Sequence, residues 1–253
     1  MDGLDYMEEL HDPAMRVIRE IIAAKKNESI QLILPFVTLF NGLIQHDDEE
    51  MRDLVLQFFG DMVYWASDAV DDELKRNTFI LAFDAIQNRN SAIGFGCIKQ
   101  LAAKAPHVLE GNIPQILELI KNQHETVEEN PTEYLQSVQD NAESALAQIA
   151  INILQDLFPL DVFMKIALER MPPQLEAEET NDHIRFFFWL MQRAQQLQVF
   201  EANILLFAAV PIRLFMDPIE TLLGPYCVEQ ENVEKMQQFL RNFVGGYPNW
   251  EAF

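Results

Sequence analysis

Between Glu50 and Asp68 six side chains recur at three- and four-residue steps: Glu50, Asp53, Gln57, Asp61, Tyr64 and Asp68. On a helix that spacing lines them along one face. Four carboxylates and an aromatic ring there make a surface that attracts cations. The carboxylates accept charge-assisted hydrogen bonds from Lys or Arg, and the ring holds a cation over its face. The same six residues also read as a solvated helix face with caps at its start. A second stripe, Asn141, Ser144, Gln148, Asn152 and Gln155, is polar but nearly uncharged. Its amides suit an extended peptide backbone, and equally suit water. A third stripe, Asp182, Arg185, Trp189, Gln192 and Gln196, is mixed. Trp189 is either a core residue or an exposed stacking platform.

Covalent chemistry finds less support. His46-Asp47-Asp48 and His124-Glu125 hold metal-ligand residue types, but no H-E-x-x-H or Cys/His spacing completes either group. Helix capping explains the first and a solvated loop the second. Cys97 has no nearby His and sits on a Gly-flanked helix, which makes it a structural thiol. No phosphate-binding glycine loop occurs. Gly94 and Gly96 fall within a helix, where they permit close helix–helix approach. The expectation is a protein that is not an enzyme and holds no cofactor and no metal.

The elements that must position these stripes repeat. A charged or Asn-rich cluster followed by an apolar helical run recurs with its anchors at Glu50, Asn90, Asn141, Asn181 and Glu231, which lie 40, 51, 40 and 50 residues apart. A second apolar helical stretch sits between each pair of anchors. This is the pattern of a helical repeat array, in which each helix pair buries its apolar face against the next. The apolar runs follow the i, i+3, i+4 rule, and no strand-like run is bounded by Asn-Gly or Asp-Gly turns. The predicted fold is all-α: an α-solenoid of about five to six antiparallel helix pairs, stacked in a right-handed superhelix over residues 1–253.

Helices are predicted over 12–25, with Asp12 as cap and Pro13 at the first position, 32–45, 46–67, 72–86 and 87–105, the last ended by Pro106. Asp47 and Glu50 give a capping-box-like start to the third of these. Further helices are predicted from 113 to 120, 139 to 155, 160 to 171, 181 to 196, 202 to 216 and 218 to 223. The last spans 231–244 and is ended by Gly245-Gly246. The polar, acidic stretch 121–133 reads as an inserted surface loop or a helix extension, and the tail packs Trp250 or Phe253 on the last repeat. Before residue 12 the partner helix is missing or reduced to Leu4–Leu10. The array therefore reads as a fragment of a longer chain.

With 40 acidic and 18 basic residues the formal charge is -22. Nucleic-acid phosphates and anionic membranes are repelled, so neither is an expected direct partner. The charge serves solubility, or attracts basic partners. Cys97 and Cys227, the two cysteines, lie in apolar surroundings, which fits a reducing compartment. No apolar run is long enough to span a bilayer, and the acidic N-terminus is no signal or transit peptide.

Three blocks carry a family resemblance. Arg89–Gln100 (RNSAIGFGCIKQ) resembles the Arg- and Gly-containing helix of karyopherin-β, or importin-β-type, nuclear transport receptors. DNAESALAQI from Asp140 is similar to that family's D-N-A helix, and MPPQLEAEETNDHIRFFFWLMQ from Met171 resembles the element that follows. Ile93 stands where the family has an aromatic, and Gln148 where it has Lys. The resemblance covers residues 4–250 and is nearest to the C-terminal HEAT repeats of importins that carry ribosomal proteins and histones. It implies nucleocytoplasmic transport, with location in cytoplasm and nucleus and passage through the nuclear pore. The implied partners are basic protein cargo, including nuclear-localisation segments, and Phe-Gly nucleoporins. Ran-GTP would be held mainly by N-terminal repeats outside this chain. It also implies that the second helix of each pair lines the concave face, where the stripes would lie. Phe-Gly repeats would enter pockets between outer helices near Phe36, Phe40, Phe79 and Phe83, which read first as core residues. The alternative is a HEAT scaffold of another class, such as a phosphatase regulatory subunit or an assembly platform. A third, enzymatic reading requires a buried polar cluster with strongly perturbed pKa values.

Overall fold

The structure, a computed structural model, describes residues 16–44, 46–129, 131–216 and 229–246. All regular elements among the described residues are helices, as the spacing predicts. Expectations for Asp12, Pro13, Leu4–Leu10, residues 218–223, Cys227, Trp250 and Phe253 lie outside the described residues. The helices are α1 (described from 16 to 25), α2 (Ile30–Leu43), α3 (Glu49–Trp65), α4 (Asp72–Arg89), α5 (Ala92–Lys104) and α6 (Ile113–Glu129). They continue as α7 (Glu133–Ile149), α8 (Leu160–Arg170), α9 (Thr180–Gln196), α10 (Ile204–Met216) and α11 (Gln230–Gly246).

Local chemistry sets the helix starts. Asp48, in an extended conformation, accepts the Glu50 N–H at 2.9 Å, and Glu49 and Glu50 then sit in the first turn, where the helix dipole favours acids. The cap is thus Asp48 rather than Asp47. Asp71 caps α4, Ser91 caps α5 and Thr132 caps α7 in the same way. α4 runs to Arg89, beyond the expected boundary at residue 86. It stops because Asn90 takes the left-handed conformation (φ 54°) that Asn tolerates better than most residues. The Thr132 cap starts α7 well before Gln139, so Asn141 lies inside the helix rather than at its opening. Residues 121–129 are the last turns of α6. Gly245 and Gly246 are still helical within α11.

The chain divides into two compact units, 1–119 and 120–253, with the division inside α6. In the first unit α5 packs on both α3 and α4, and α3 also meets α2. Its core gathers Ile22, Ile33, Val55, Phe58, Phe59 and Met62, all buried. Each such Phe contributes up to about 3 kcal/mol by leaving water. In the second unit α7, α9 and α11 pack in succession, while α8 packs on α10 behind them. Phe158, Phe186 and Trp189 form one ring cluster there, and Phe187 meets both Phe207 and Phe239. Within each unit, alternate helices stack on one another, which is the packing of an α-solenoid.

Two glycines set the spacing of the first unit. A Cβ on Gly60 would lie 2.8 Å from the Cys97 Sγ, and one on Gly94 would lie 2.9 Å from the Ala82 carbonyl oxygen. The second obstacle is backbone, so α4 and α5 would have to separate. Gly94→Ala is therefore expected to lower stability by about 1–3 kcal/mol despite its better helix propensity. Gly42 meets nothing within 4 Å. Gly42→Ala should be neutral or stabilise by up to about 1 kcal/mol. Urea unfolding of both variants checks the pair, and equal effects would contradict the packing argument.

Candidate functional site

The acidic stripe on α3 does not stand open as a row of free carboxylates. Asp61 is buried, 4% exposed, and accepts from the Arg19 guanidinium of α1. Asp53 accepts from Arg89 at 2.7 Å, at the end of α4. Asp68 accepts from the Asn27 side chain at 3.2 Å, across an exposed surface. Glu50 is exposed, and Gln57 half-buried. Tyr64 packs edge-on against Trp65 with ring centres 4.7 Å apart, and the chain's own Lys104 ammonium lies 5.0 Å from the Tyr64 ring centre. Cations do sit on this stripe, then, but Arg19, Arg89 and Lys104 come from neighbouring helices of the same chain. Sequence reading missed these three partners, because no local spacing links residues that lie 36 to 42 positions apart.

Asp61 shows what such a pairing does. Burial pushes its carboxyl above the ordinary aspartate value, and the Arg19 charge and hydrogen bond pull against that rise. Cys97 nearby is buried too, and its thiol is pushed far up by burial and by the Asp61 and Asp53 charges. It stays a protonated, inert thiol that donates to the Leu56 carbonyl at 3.4 Å.

The amide stripe of α7 is also largely internal. Ser144 is fully buried, and Asn141 donates to the Ser137 carbonyl within its own helix. Gln148 reaches across to Asp182 of α9 at 3.0 Å, and Asn152 donates back to Gln148 at 2.7 Å. Gln155 is exposed, at a positive φ of 45° just after a turn of π-helix. On α9, Arg185 pairs with Glu229 at 2.6 Å, at an exposed position. Trp189 is half-buried, edge-on to Phe158 at 5.3 Å, and so serves the ring cluster on at least one side. Gln192 and Gln196 are exposed, and Gln196 accepts from Arg193. Among the phenylalanines of α2 and α4, Phe36 is 41% exposed, Phe40 stacks 4.3 Å from Phe58, Phe79 is buried and Phe83 is half-buried beside it.

Asp140, the first residue of the D-N-A block, holds a loop. Its carboxylate accepts the backbone N–H groups of Gln174, Leu175 and Glu176 at 2.7 to 2.9 Å. His183 of α9 meets the Asp140 carbonyl at 3.2 Å. Further along, Asn181 accepts from the Glu229 N–H at 2.9 Å and from the Asn232 side chain, at the start of α11. An acid or amide near the start or middle of one helix thus grips the segment that leads into the helix stacked beside it.

The structure also holds a buried polar cluster that no spacing announced. His124 of α6 lies 2.8 Å from Glu143 of α7, and Gln139 lies 2.9 Å from the other His124 ring nitrogen. All three are at most 3% exposed. They contact one another and are closed to solvent, so no substrate reaches them in this conformation, although Gln139 Oε1 and Glu143 Oε2 have no hydrogen-bond partner among the described residues. His124 pairs with Glu143, not with the adjacent Glu125, which instead faces Lys121. His46 accepts the Asp48 N–H through Nδ1 at 3.1 Å. Among the described residues no group of three His, Cys, Asp or Glu is placed to hold a metal ion. No described helix is long and apolar enough to cross a membrane.

No family model, curated protein or solved structure matches the chain.

The Asp61 pairing has a pH signature. A carboxyl whose folded value is raised favours the fold most when protonated. That contribution is fully present below the unfolded aspartate value and is lost as pH rises through the folded one. Arg19 limits the loss, so Arg19→Met should cost about 2 kcal/mol at pH 7, discounted for the exposure of the guanidinium, and almost nothing once Asp61 is protonated. Urea unfolding of variant and parent across the acid range checks this, and a pH-independent penalty would count against the pairing. Asp140→Ala leaves three backbone donors without their acceptor. It should cost about 3 kcal/mol and make the 174–176 loop the first site cut in limited proteolysis.

Proposed function

We propose that this chain is a segment of an importin-β-type nuclear transport receptor, binding basic protein cargo, Phe-Gly nucleoporins, or both, through its helical repeats. The observation that carries the reading is where the three resembling blocks fall. Arg89–Gln100 spans the joint between α4 and α5, Asp140–Ile149 lies on α7, and Met171–Gln192 is the loop and helix that Asp140 grips. Arg89 and Asp140 are thus residues that tie one helix pair to the next, a reason for such blocks to recur at one repeat's spacing. Shuttling between cytoplasm and nucleus, and a Ran-GTP site mainly in N-terminal repeats, belong to the same reading.

Charge supports a basic partner. The formal charge of -22 gives the surface a negative field, even after several carboxylates are paired internally. Recognition would be multipoint, with several weak contacts engaged at once by one extended or folded basic surface. A non-enzymatic role fits the closed state of the His124–Gln139–Glu143 cluster.

A helical scaffold of another class, such as a phosphatase regulatory subunit or an assembly platform, is the second reading. It is favoured by the internal use of Asp53, Asp61 and Tyr64, which suits a rigid platform as well as a cargo surface.

Fluorescence anisotropy with a basic nuclear-localisation peptide and with a Phe-Gly repeat peptide separates the two. The receptor reading expects basic-peptide affinity to fall about tenfold between low and moderate salt. Binding to neither peptide at low salt would sink it and leave the scaffold.

A further inference from the structure

A cavity of about 580 Å³ opens in the first unit where the end of α2, the start of α3 and the last turns of α4 converge. Ile44, Val55, Leu56 and Leu81 give it apolar walls, and Asp47, Glu49, Arg52, Asp84 and Arg89 stand around them. Its two guanidinium groups are already committed. Arg52 donates to the His46 and Asp47 carbonyls and pairs with Glu49, while Arg89 pairs with Asp53. Asp84 accepts only an amide hydrogen bond, from Asn88 at 2.8 Å, and neither Asp47 nor Asp84 has a cationic partner among the described residues. Both are exposed. The cavity therefore offers unneutralised carboxylates above an apolar wall.

We infer that this cavity takes a lysine or arginine side chain from an extended basic segment of a partner protein, its aliphatic stem on Ile44 and Leu81 and its cation at Asp47 and Asp84. Long basic side chains are built for such a place: the stem covers apolar surface while the head stays with charge and water. A carboxylate-bearing segment would meet Asp47 and Asp84 with no free guanidinium to answer them, and a purely apolar one would strand both acids. The inference rests on the basic-partner reading and gives it an address. It also moves the contact away from the α3 stripe, whose Asp53 and Asp61 are paired with Arg89 and Arg19.

The test uses the whole chain and two fluorescein-labelled peptides, one alternating lysine with serine and the other alternating glutamate with serine. Asp47→Asn combined with Asp84→Asn should weaken binding of the lysine peptide about tenfold, the effect of two exposed ion pairs. Glu110→Gln combined with Glu118→Gln removes the same charge from exposed positions elsewhere in the first unit. It should change affinity less than about twofold. Equal losses in the two double variants would mean that only the overall field binds, and would overturn the cavity while leaving the basic-partner reading intact. An unchanged affinity in the first double variant, or equal binding of the glutamate peptide, overturns it likewise. Absence of lysine-peptide binding by the unaltered chain at low salt defeats the basic-partner reading itself, and the cavity assignment with it.

Discussion

Everything in this structure depends on a helix pair having no sufficient core of its own. Two antiparallel helices leave a wide apolar face, and in each unit that face is buried only by the neighbouring helices. The contact requires close approach, which Gly60 and Gly94 allow in the first unit, and aromatic filling, which Phe158, Phe186 and Phe187 provide in the second. Once stacking is required, the helix starts come into register. Polar side chains near them can then reach the next element and fix its position.

That second layer of interactions explains the fate of the charges. Arg19, Arg89, Arg170, Arg185 and Arg193 each hold a carboxylate on another element of the same unit. Exposed pairs of this kind add little energy one at a time, but they select one stacking geometry among many. Asp61 and Asp140 are different, because both are buried. Asp61 is tolerable only because Arg19 reaches it, and Asp140 because three backbone donors converge on it. Spending cations inside the array leaves the large acidic excess of the chain on the surface. That excess is set by composition, because each ion pair removes one charge of either sign.

Helix existence was legible because it follows from local periodicity, and the caps Asp48, Asp71, Ser91 and Thr132 are local too. The anchors that advertise the repeat proved less uniform than their spacing. Glu50, Asn181 and Glu231 lie in the first turns of their helices, Asn90 ends one, and Asn141 lies mid-helix. A recurrent residue type therefore marked the repeat without occupying one structural position in it. The α3 stripe was legible as a stripe, since i, i+3, i+4 geometry needs only the helix. Its availability was not, because Arg19, Arg89 and Lys104 arrive from other helices.

The sequence by itself determined the all-helical class, the repeat spacing, the acidic excess and which residues share a helix face. All of these are fixed by neighbours within a few positions, or by composition. Only the tertiary structure decided which of those faces are already occupied, that His124 meets Glu143 rather than Glu125, and that Asp140 holds the 174–176 loop. Those pairings join residues 19 to 42 positions apart. They form only after apolar stacking has set the distance and rotation between helices, to which no local periodicity is sensitive.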